Sequence, residues 1–465
     1  MEKSQSLNRR TFLAACATPL LRAQTKPKNV LFIMADDLTS RGLGCYGNKI
    51  VKTPNIDKLA SEGLLFHRAY CQYPLCAPSR ASLLTGRLPD VTKVLTNGPD
   101  FRDTIPDTVT LPQLFKNNGY TAIREGKMYH MGVPGTVGTP RWQDEASWTH
   151  NGSPQGKEHL SQGKLTALTP HIAGAGVSMN FVITPDPKEQ ADFDAANRAI
   201  AHLEKHRNSP FFLGLGFVRP HVPFVAPSRF FDMYPLDVIK NFENPPNDLD
   251  DIPSYGRYNA VNWDHMKMNE EQRRLALRAY YAATSFMDEQ LGRVLDTLDA
   301  LKLRDNTVIT FMSDHGWGLG EHTHWQKQSL MEESAKVPLL VSAPGMKARG
   351  KVTYSLTESL DVYPTIAAQC GLHAPDYLDG RDFSSVLQNP KARVRTSART
   401  QIFNANFDGR AVRTEHFRYI RWKPKAGEIA EEFYDHRKDP FEFTNLAASK
   451  NPPKELAEHR ELISS

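Results

Sequence analysis

The 465-residue sequence has only five cysteines, no long apolar run, no internal repeat and little excess charge. Five cysteines are too few for a disulfide framework in a protein of this size. No apolar run reaches the roughly 18–20 residues that a membrane-spanning helix needs, so we expect no transmembrane segment. The net charge of +5 lies partly in the first 23 residues, and we expect no nucleic-acid partner. What remains is an ordinary globular composition, long enough for one large α/β domain and a smaller one.

Residues 1–23 are typical of a targeting segment. The string NRRTFL at residues 8–13 is similar to a twin-arginine signal, and a short apolar stretch, Phe12–Leu21, and the small residue Ala23 follow it. We therefore expect a signal peptide at 1–23 and export to the periplasm or the cell exterior. A disordered basic tail is the alternative. Cys16 stands in a lipoprotein-like LAAC string, but little of the apolar run precedes it, so we rank lipid anchoring lower.

Short apolar runs alternate with helical patterns over most of the chain. Continuous aliphatic runs predict strands buried on both faces of a mostly parallel sheet, at Lys28–Ala35, Pro210–Val218, Thr307–Met312 and Val337–Ser342. Helical periodicity covers Asp192–Arg207 and a long segment that ends near Leu301, which begins with the capping box Asn269/Gln272. The alternation predicts an α/β fold with a large, mostly parallel sheet sandwiched by helices.

Two segments rich in Gly, Pro, Asn and Asp, Gly132–Ala191 and Pro235–Met268, are predicted to be long loops over the active face. The pattern changes after about Gly371. Arg410–Trp422 is predicted as one strand, Glu432–His436 as a second and Glu455–Ile463 as a helix. We therefore expect a catalytic domain at 25–371 and a smaller C-terminal α+β subdomain at 372–465.

Polar clusters follow the predicted strands, and ligands of open α/β sheets bind at the carboxyl ends of strands. These clusters are Asp36-Asp37, Lys127 to His130, Arg219-Pro220-His221 and Asp314-His315. Singly, each has a simpler explanation, such as a helix cap or a solvated side chain. Together, the carboxylates would repel one another unless a cation neutralised them, and oxygen ligands suit Ca²⁺ or Mg²⁺ better than Zn²⁺. His315 would be an unusual neighbour for Ca²⁺.

The string CAPSRASLLTGR at residues 76–87 carries the most specific signal. Pro78 suits the first turn of a helix and Gly86 its end, so Cys76 would stand at a helix N-terminus, which favours an anion. Arg80, one turn on, could fork toward a tetrahedral oxyanion. An inert packed thiol, or a Cys71–Cys76 disulfide, is the alternative.

This string resembles the C-x-P-S-R signature of the formylglycine-dependent sulfatases, which have an alkaline-phosphatase-like fold. The strings GKMYH, RPHVPF, SDHGWGLGEH and WQKQS are similar to the iduronate-2-sulfatase branch, in its order and spacing. The resemblance implies that Cys76 is oxidised to formylglycine, the nucleophile, by a formylglycine-generating or anaerobic sulfatase-maturating enzyme. It implies one Ca²⁺, held by Asp36, Asp37, Cys76, Asp314 and His315. It implies catalytic and sulfate-binding roles for Arg80, Lys127, His130, His221 and Lys327.

The implied activity is removal of sulfate from a sulfated sugar, such as an iduronate 2-sulfate in a glycosaminoglycan or an algal polysaccharide. Departures from the branch are Thr323-His324, expected close to the pocket, and the segments Val94–Thr108 and Pro134–Ala191. We expect cations near the pocket mouth, or else paired locally, at Arg87, Arg219, Lys327 and Arg413. A phosphatase or phosphonate monoester hydrolase of the same superfamily and a non-catalytic glycan-binding relative are the alternative functions.

Overall fold

A computed structural model describes residues 26–140, 142–156, 163–173, 177–258 and 267–463. The expected signal peptide at 1–23, with Cys16, lies outside the described residues. Among those described, no helix is long and apolar enough to cross a membrane.

The described strands and helices alternate over most of the chain. The strands are β1 Asn29–Ala35, β2 Leu64–Tyr70, β3 Thr121–Gly126, β4 His150–Gly152, β5 Lys164–Ala167, β6 Asn180–Thr184, β7 Phe211–Gly216, β8 Phe224–Pro227, β9 Thr307–Ser313, β10 Gly318–Leu319, β11 Trp325–Gln326, β12 Lys336–Ser342, β13 Lys351–Thr353, β14 Thr357–Glu358, β15 Ala398–Phe403, β16 Phe407–Arg413, β17 Phe417–Pro424 and β18 Ala430–Asp435. The helices are α1 Pro54–Glu62, α2 Cys76–Thr85, α3 Pro89–Thr92, α4 Leu111–Asn117, α5 Ala191–Lys205, α6 Ser228–Asp232, α7 Ser254–Tyr258, α8 Glu270–Ala300, α9 Glu332–Ala335, α10 Val362–Gln369, α11 Ser384–Gln388 and α12 Glu455–Leu462.

The large sheet has the strand order β13-β2-β12-β9-β1-β7-β3-β4, and β14 also pairs with β2. Only the pairings of β12 are antiparallel, among those described for this sheet. The buried strand β1 sends Val30 and Phe32 to one core and Leu31 and Ile33 to the other, as the two-residue period of a strand requires. Helices α2, α4, α10 and α11 contribute to the first core, and α1, α5 and α8 contribute to the second. The predicted α/β sandwich is therefore confirmed.

A four-stranded antiparallel sheet, in the order β15-β16-β17-β18, closes the chain. The prediction of one strand over Arg410–Trp422 is wrong, because β16 and β17 are separate strands joined by a tight turn at Thr414–His416. The turn contains neither Gly nor Pro, so the sequence carries no breaker there. Its Thr414 N–H donates to the Phe417 carbonyl at 2.8 Å.

The two predicted loops contain more structure than expected. Gly132–Ala191 includes β4, which extends the large sheet beside β3, and β5 and β6, which form a small sheet with β8. Pro235–Met268 includes the short helix α7. The domain boundary expected at 371/372 stays a prediction. The segment after it contributes Phe383, Val386 and Leu387 to the core on the α2 face of the large sheet.

Candidate active site

The polar clusters meet at one edge of the large sheet. Strands β9, β1, β7 and β3 are consecutive neighbours in the sheet and run parallel, so their carboxyl ends lie side by side. Asp314-His315, Asp36-Asp37, His221 and Lys127 follow these four strands in that order. The structure thus brings into contact residues that are as many as 277 positions apart in the chain, Asp37 and Asp314.

The turn after β1 directs both of its carboxylates into this edge. Asp37 has the left-handed conformation with φ 60°, which Asp adopts more readily than most residues other than Gly. Its N–H donates to Asp314 Oδ1 at 3.3 Å, and Tyr280 Oη donates to its carbonyl at 2.9 Å. These bonds from β9 and α8 hold Asp37 in place.

Cys76 is the first residue of α2, as predicted, and Gly86 ends that helix with φ 68°. The helix start is fixed from outside: Ala77 N–H donates to Asn97 Oδ1 at 3.0 Å, and Ser79 Oγ donates to the Asp314 carbonyl. The sequence did not point to Asn97, since nothing local links two residues 20 positions apart. Asn97 lies in the segment Val94–Thr108, which we noted only as a departure.

The sulfur of Cys76 faces the carboxyl edge of the sheet. It lies 3.2 Å from Lys327 Nζ, 3.5 Å from His315 Nε2 and 4.0 Å from Asp37 Oδ1. Cys71 and Cys76 are both free thiols, so the alternative disulfide is not formed in this structure. Cys76 is not a thiol packed among apolar groups, because its neighbours are charged or titratable.

Arg80 is fully buried and holds the site together. Its Nε donates to Asp314 at 2.8 Å, its Nη2 donates to Asp36 at 3.1 Å, and its Nη1 donates to the carbonyls of Lys127 and Met128. These bonds use four of the five N–H groups of a guanidinium. Arg80 therefore positions the two carboxylates and Lys127, and has little capacity left to fork toward an oxyanion.

Two Lys–His pairs surround the sulfur. Lys127 Nζ donates to Asp36 Oδ2, and the half-buried imidazole of His130, three residues further along the chain, lies near Cys76. Opposite, Lys327 Nζ donates to Asp37 Oδ1 at 2.7 Å and lies 3.4 Å from His221 Nε2. The six residues that we expected to be catalytic thus share one cluster.

While Cys76 is an unmodified cysteine, the charges of this cluster determine the pKa values of its side chains. Burial would raise the pKa of Cys76, but the ammonium groups of Lys127 and Lys327 hold it well below its ordinary value. Burial raises the pKa of Asp314 to about 6, against the opposing effect of Arg80. Burial alone would lower the pKa of His315, but Asp314 and Cys76 together outweigh burial and raise this pKa to about 9. Burial lowers the pKa of His130.

The residues fit a divalent cation. One ligand atom from each of Asp36, Asp37 and Asp314 lies within 4.8 Å of the others, and the same holds for Asp37, Cys76 and His315. Asp37 Oδ2 is buried and has no hydrogen-bond partner among the described residues, although His221 Nε2 is 3.5 Å away. Carboxylate oxygens favour a hard cation such as Ca²⁺ or Mg²⁺.

Most of the other expected cations are occupied elsewhere. Arg87 pairs with Asp379 at 3.0 Å, Arg413 Nε lies 3.5 Å from Glu332, and Arg219 donates to the carbonyls of His221 and Pro223. Lys327 does reach the site. His324 is fully buried, and its Nδ1 lies 3.6 Å from Glu333 Oε1.

An aromatic side chain that the sequence did not single out lies beside the site. The indole of Trp142 stacks on His130, with ring centroids 5.8 Å apart, and its side chain is 37% exposed. Together with Asn97, Asp100 and Phe101 it lines a small cavity that His130 also borders. Its only sequence signal is an aromatic residue in a polar segment, which is too common to interpret.

The fold and the polar cluster at its carboxyl edge are those of an α/β enzyme. The profile of the sulfatase family matches residues 28–372, and a second profile, "N-sulphoglucosamine sulphohydrolase, C-terminal", matches residues 320–462. The chain belongs to the sulfatase family. It is 33% identical over 436 residues to a sulfatase of Formosa agariphila, covering 90% of this chain and 83% of that protein. It is 34% identical over 394 residues to the iduronate 2-sulfatase of Homo sapiens, covering 76% and 70%.

A solved structure, the phosphonate monoester hydrolase of Agrobacterium radiobacter, superposes with a TM-score of 0.76. The match covers 94% of this chain and 95% of that one at 23% identity. At this identity the likeness shows the fold alone.

Proposed function

We propose that this protein is a sulfuric ester hydrolase that removes sulfate from a sulfated uronic acid or related sugar, with a formylglycine at position 76 and one Ca²⁺. The observation that carries the proposal is the position of Cys76. Its sulfur lies at a helix N-terminus and within 4.0 Å of a lysine, a histidine and an aspartate. A buried pocket with fixed positive groups suits a sulfate ester.

The bound cation would be held by Asp36, Asp37, Asp314 and His315 together with residue 76, and it would polarise the sulfate oxygens. Arg80 fixes Asp36 and Asp314 from behind, so their oxygens stay at one place. The positive end of α2 adds to the same field. These groups are in place before the substrate arrives, which is what stabilises a transferring anionic group most effectively.

A hydrated aldehyde at residue 76 would offer one hydroxyl to attack sulfur and a second that allows sulfate to be expelled. His130 would remove a proton from this group, because its imidazole lies near residue 76 and burial lowers its pKa, which favours the neutral base. Lys127 neutralises Asp36 beside it. On the other side, His221 and Lys327 are 3.4 Å apart and would protonate the sugar oxygen as it leaves.

The sugar proposal rests on two supports. The relatives include an iduronate 2-sulfatase at 34% identity, and the indole of Trp142 offers a half-open aromatic face beside His130 on which a sugar ring could stack. The expected gathering of arginines for the carboxylate is not seen, so Lys327 is the cation that we assign to that end of the pocket.

We also propose that residues 1–23 direct export and that a formylglycine-generating or anaerobic sulfatase-maturating enzyme modifies Cys76. Mass spectrometry of the peptide that spans residues 76–87 in active protein would show an aldehyde in place of the thiol. Fully active protein with only the thiol would contradict the mechanism.

The reaction class is tested by comparing turnover of an aryl sulfate, an aryl phosphate and an aryl phosphonate monoester. We expect the sulfate to be preferred. Preference for the phosphonate or the phosphate would favour the alternative of a phosphatase or phosphonate monoester hydrolase, and no turnover of any ester would favour a glycan-binding protein. A 2-O-sulfated iduronate-ended disaccharide should then be cleaved faster than a neutral 6-O-sulfated hexosamine.

Removing Ca²⁺ with a chelator should abolish activity, and adding it back should restore it.

A further inference from the structure

A second cluster of potential ligands lies outside the active site, where β3, β4 and α5 meet. Glu125 Oε1 lies 3.0 Å from His150 Nε2 and 3.0 Å from His202 Nε2. The ring centroids of the two histidines are 4.6 Å apart. One ligand atom from each of the three residues lies within 4.8 Å of the others. None of these residues belongs to the cluster around Cys76.

Two buried polar atoms of this cluster lack hydrogen-bond partners among the described residues. They are Glu125 Oε2, on a side chain that is 1% exposed, and His202 Nδ1. A Cβ built on Gly152 would lie 2.1 Å from Glu125 Oε2 and 2.3 Å from Oε1, so only glycine leaves room for this carboxylate. An unpaired buried carboxylate oxygen is costly unless a cation satisfies it.

We propose that Glu125, His150 and His202 form a second metal site, which takes Zn²⁺. Two imidazoles and one carboxylate are a ligand set that Zn²⁺ binds, whereas Ca²⁺ prefers oxygen. Tetrahedral zinc at about 2.0–2.1 Å from each donor places the donors roughly 3.3 Å apart, close to the 3.0 Å separations here. The His150 side chain is 47% exposed, so water can supply the fourth ligand.

The ion would join β3, β4 and α5 to one another at the edge of the sheet. The strand β4 has three residues and is the last strand of the sheet on this side, and His150 begins it. Glu125 lies on β3, two residues before Lys127, and His202 lies near the end of α5. Zinc would therefore stabilise the edge strand and the strand that leads into the active site, without contacting the substrate.

The test is a zinc titration of metal-freed protein in saturating Ca²⁺, read with a chromophoric zinc chelator, with Co²⁺ as a spectroscopic substitute. The variant Asp314→Asn serves as the background, because it weakens the only other metal cluster that we assign. We expect one Zn²⁺ per chain in this background, with the visible absorption of four-coordinate Co²⁺. His202→Gln and His150→Gln should each weaken zinc binding by at least about tenfold.

His206→Gln is the matched control, since His206 stacks on His202 at 6.0 Å but does not belong to the ligand set. It should bind zinc like the background protein. Added Zn²⁺ should raise the Tm of the background protein but not that of His202→Gln. Zinc affinity unchanged in both ligand variants, or no zinc binding in the Asp314→Asn background, would overturn the proposal and leave two histidines that share a carboxylate. If His202→Gln fails to fold, the half-exposed His150→Gln decides.

Discussion

Two of the buried ionic clusters in the described part of the chain differ in how completely their carboxylates are paired. In the active-site cluster, Asp37 Oδ2 and His130 Nδ1 have no hydrogen-bond partner among the described residues. The C-terminal cluster consists of Glu332, Arg413, Arg418, His436 and Glu442. There, Arg418 donates to both glutamates at 2.5 Å, and His436 Nε2 contacts Glu442 at 2.7 Å. Both clusters bury carboxylates, and the second leaves Arg413 Nε without a hydrogen-bond partner among the described residues. Only the first cluster surrounds a candidate nucleophile, Cys76.

The pKa values show the same difference. Burial raises the pKa of Asp314 to about 6, although Arg80 opposes it. Glu442 is just as deeply buried, and burial alone would raise its pKa, but Arg418 and His436 together outweigh burial and lower this pKa to about 2. A carboxylate whose pKa stays high is incompletely compensated, which is characteristic of sites that await a ligand. A cluster whose carboxylates are well paired stabilises one folded arrangement. The predictions below test whether function and stability divide between the two clusters in this way.

The largest effect should come from the centre of the active-site cluster. Cys76→Ala should reduce turnover by at least about 10³-fold, since it removes the nucleophile and its precursor. The Tm should change little, because the sulfur is surrounded by charges and supplies little apolar packing. Steady-state kinetics and thermal unfolding check this. Cys71→Ala is the matched control: Cys71 is buried and free but lies outside the cluster, so this variant should keep its activity. Substantial turnover by Cys76→Ala would contradict the mechanism.

The C-terminal cluster should show the reverse behaviour. Arg418→Met should lower the free energy of unfolding by about 3–5 kcal/mol, because it leaves Glu332 and Glu442 buried without their main partner. The turnover number per folded molecule should not change. Urea denaturation and activity at low temperature measure the two quantities. Arg437→Met is the control, since Arg437 is half-exposed and pairs with Asp435 at the surface, so little stability should be lost. A fall in turnover with unchanged stability would show that the clusters do not divide as described.

A smaller, pH-dependent effect is expected at the edge of the C-terminal cluster. Burial alone would lower the pKa of His322, but Asp248, whose Oδ1 lies 2.9 Å away, together with Glu333 and Glu442 outweighs burial and raises this pKa to about 9. A raised histidine pKa contributes stability that is fully present below pH 6.5 and is lost as the pH rises through 9. Asp248→Asn should therefore cost up to about 3 kcal/mol at pH 6 and much less at pH 10. Denaturant titrations at both pH values check this, and equal losses would contradict it.

A feature of this structure can be predicted from the sequence when it depends on residues that are neighbours in the chain. Buried strands and the caps of α2 and α8 depend on neighbouring residues, so their positions could be predicted. The proximity of Asp36, Lys127 and Asp314 could also be predicted, because each follows a strand and the carboxyl ends of parallel strands lie at one edge of the sheet. The contact of Asn97 with Ala77 and the sharing of Glu125 by two histidines depend on tertiary packing, and no local pattern precedes them. Likewise, only the folded chain shows that carbonyls and carboxylates occupy the guanidinium of Arg80.

The smallest predicted effect concerns the edge of the active-site cluster. If the exposed face of Trp142 stacks on the sugar, Trp142→Ala should raise KM for a sulfated disaccharide by about two- to tenfold, as expected for one aromatic contact. The same variant should barely change KM for methyl sulfate, which has no ring, and Trp142→Phe should recover most of the loss. Because the indole also stacks on His130, a structural role would act differently: kcat would fall for both substrates, and the pH profile of kcat would shift. A rise in KM that is confined to the disaccharide would show that Trp142 selects the substrate, separately from the charged residues that perform the reaction.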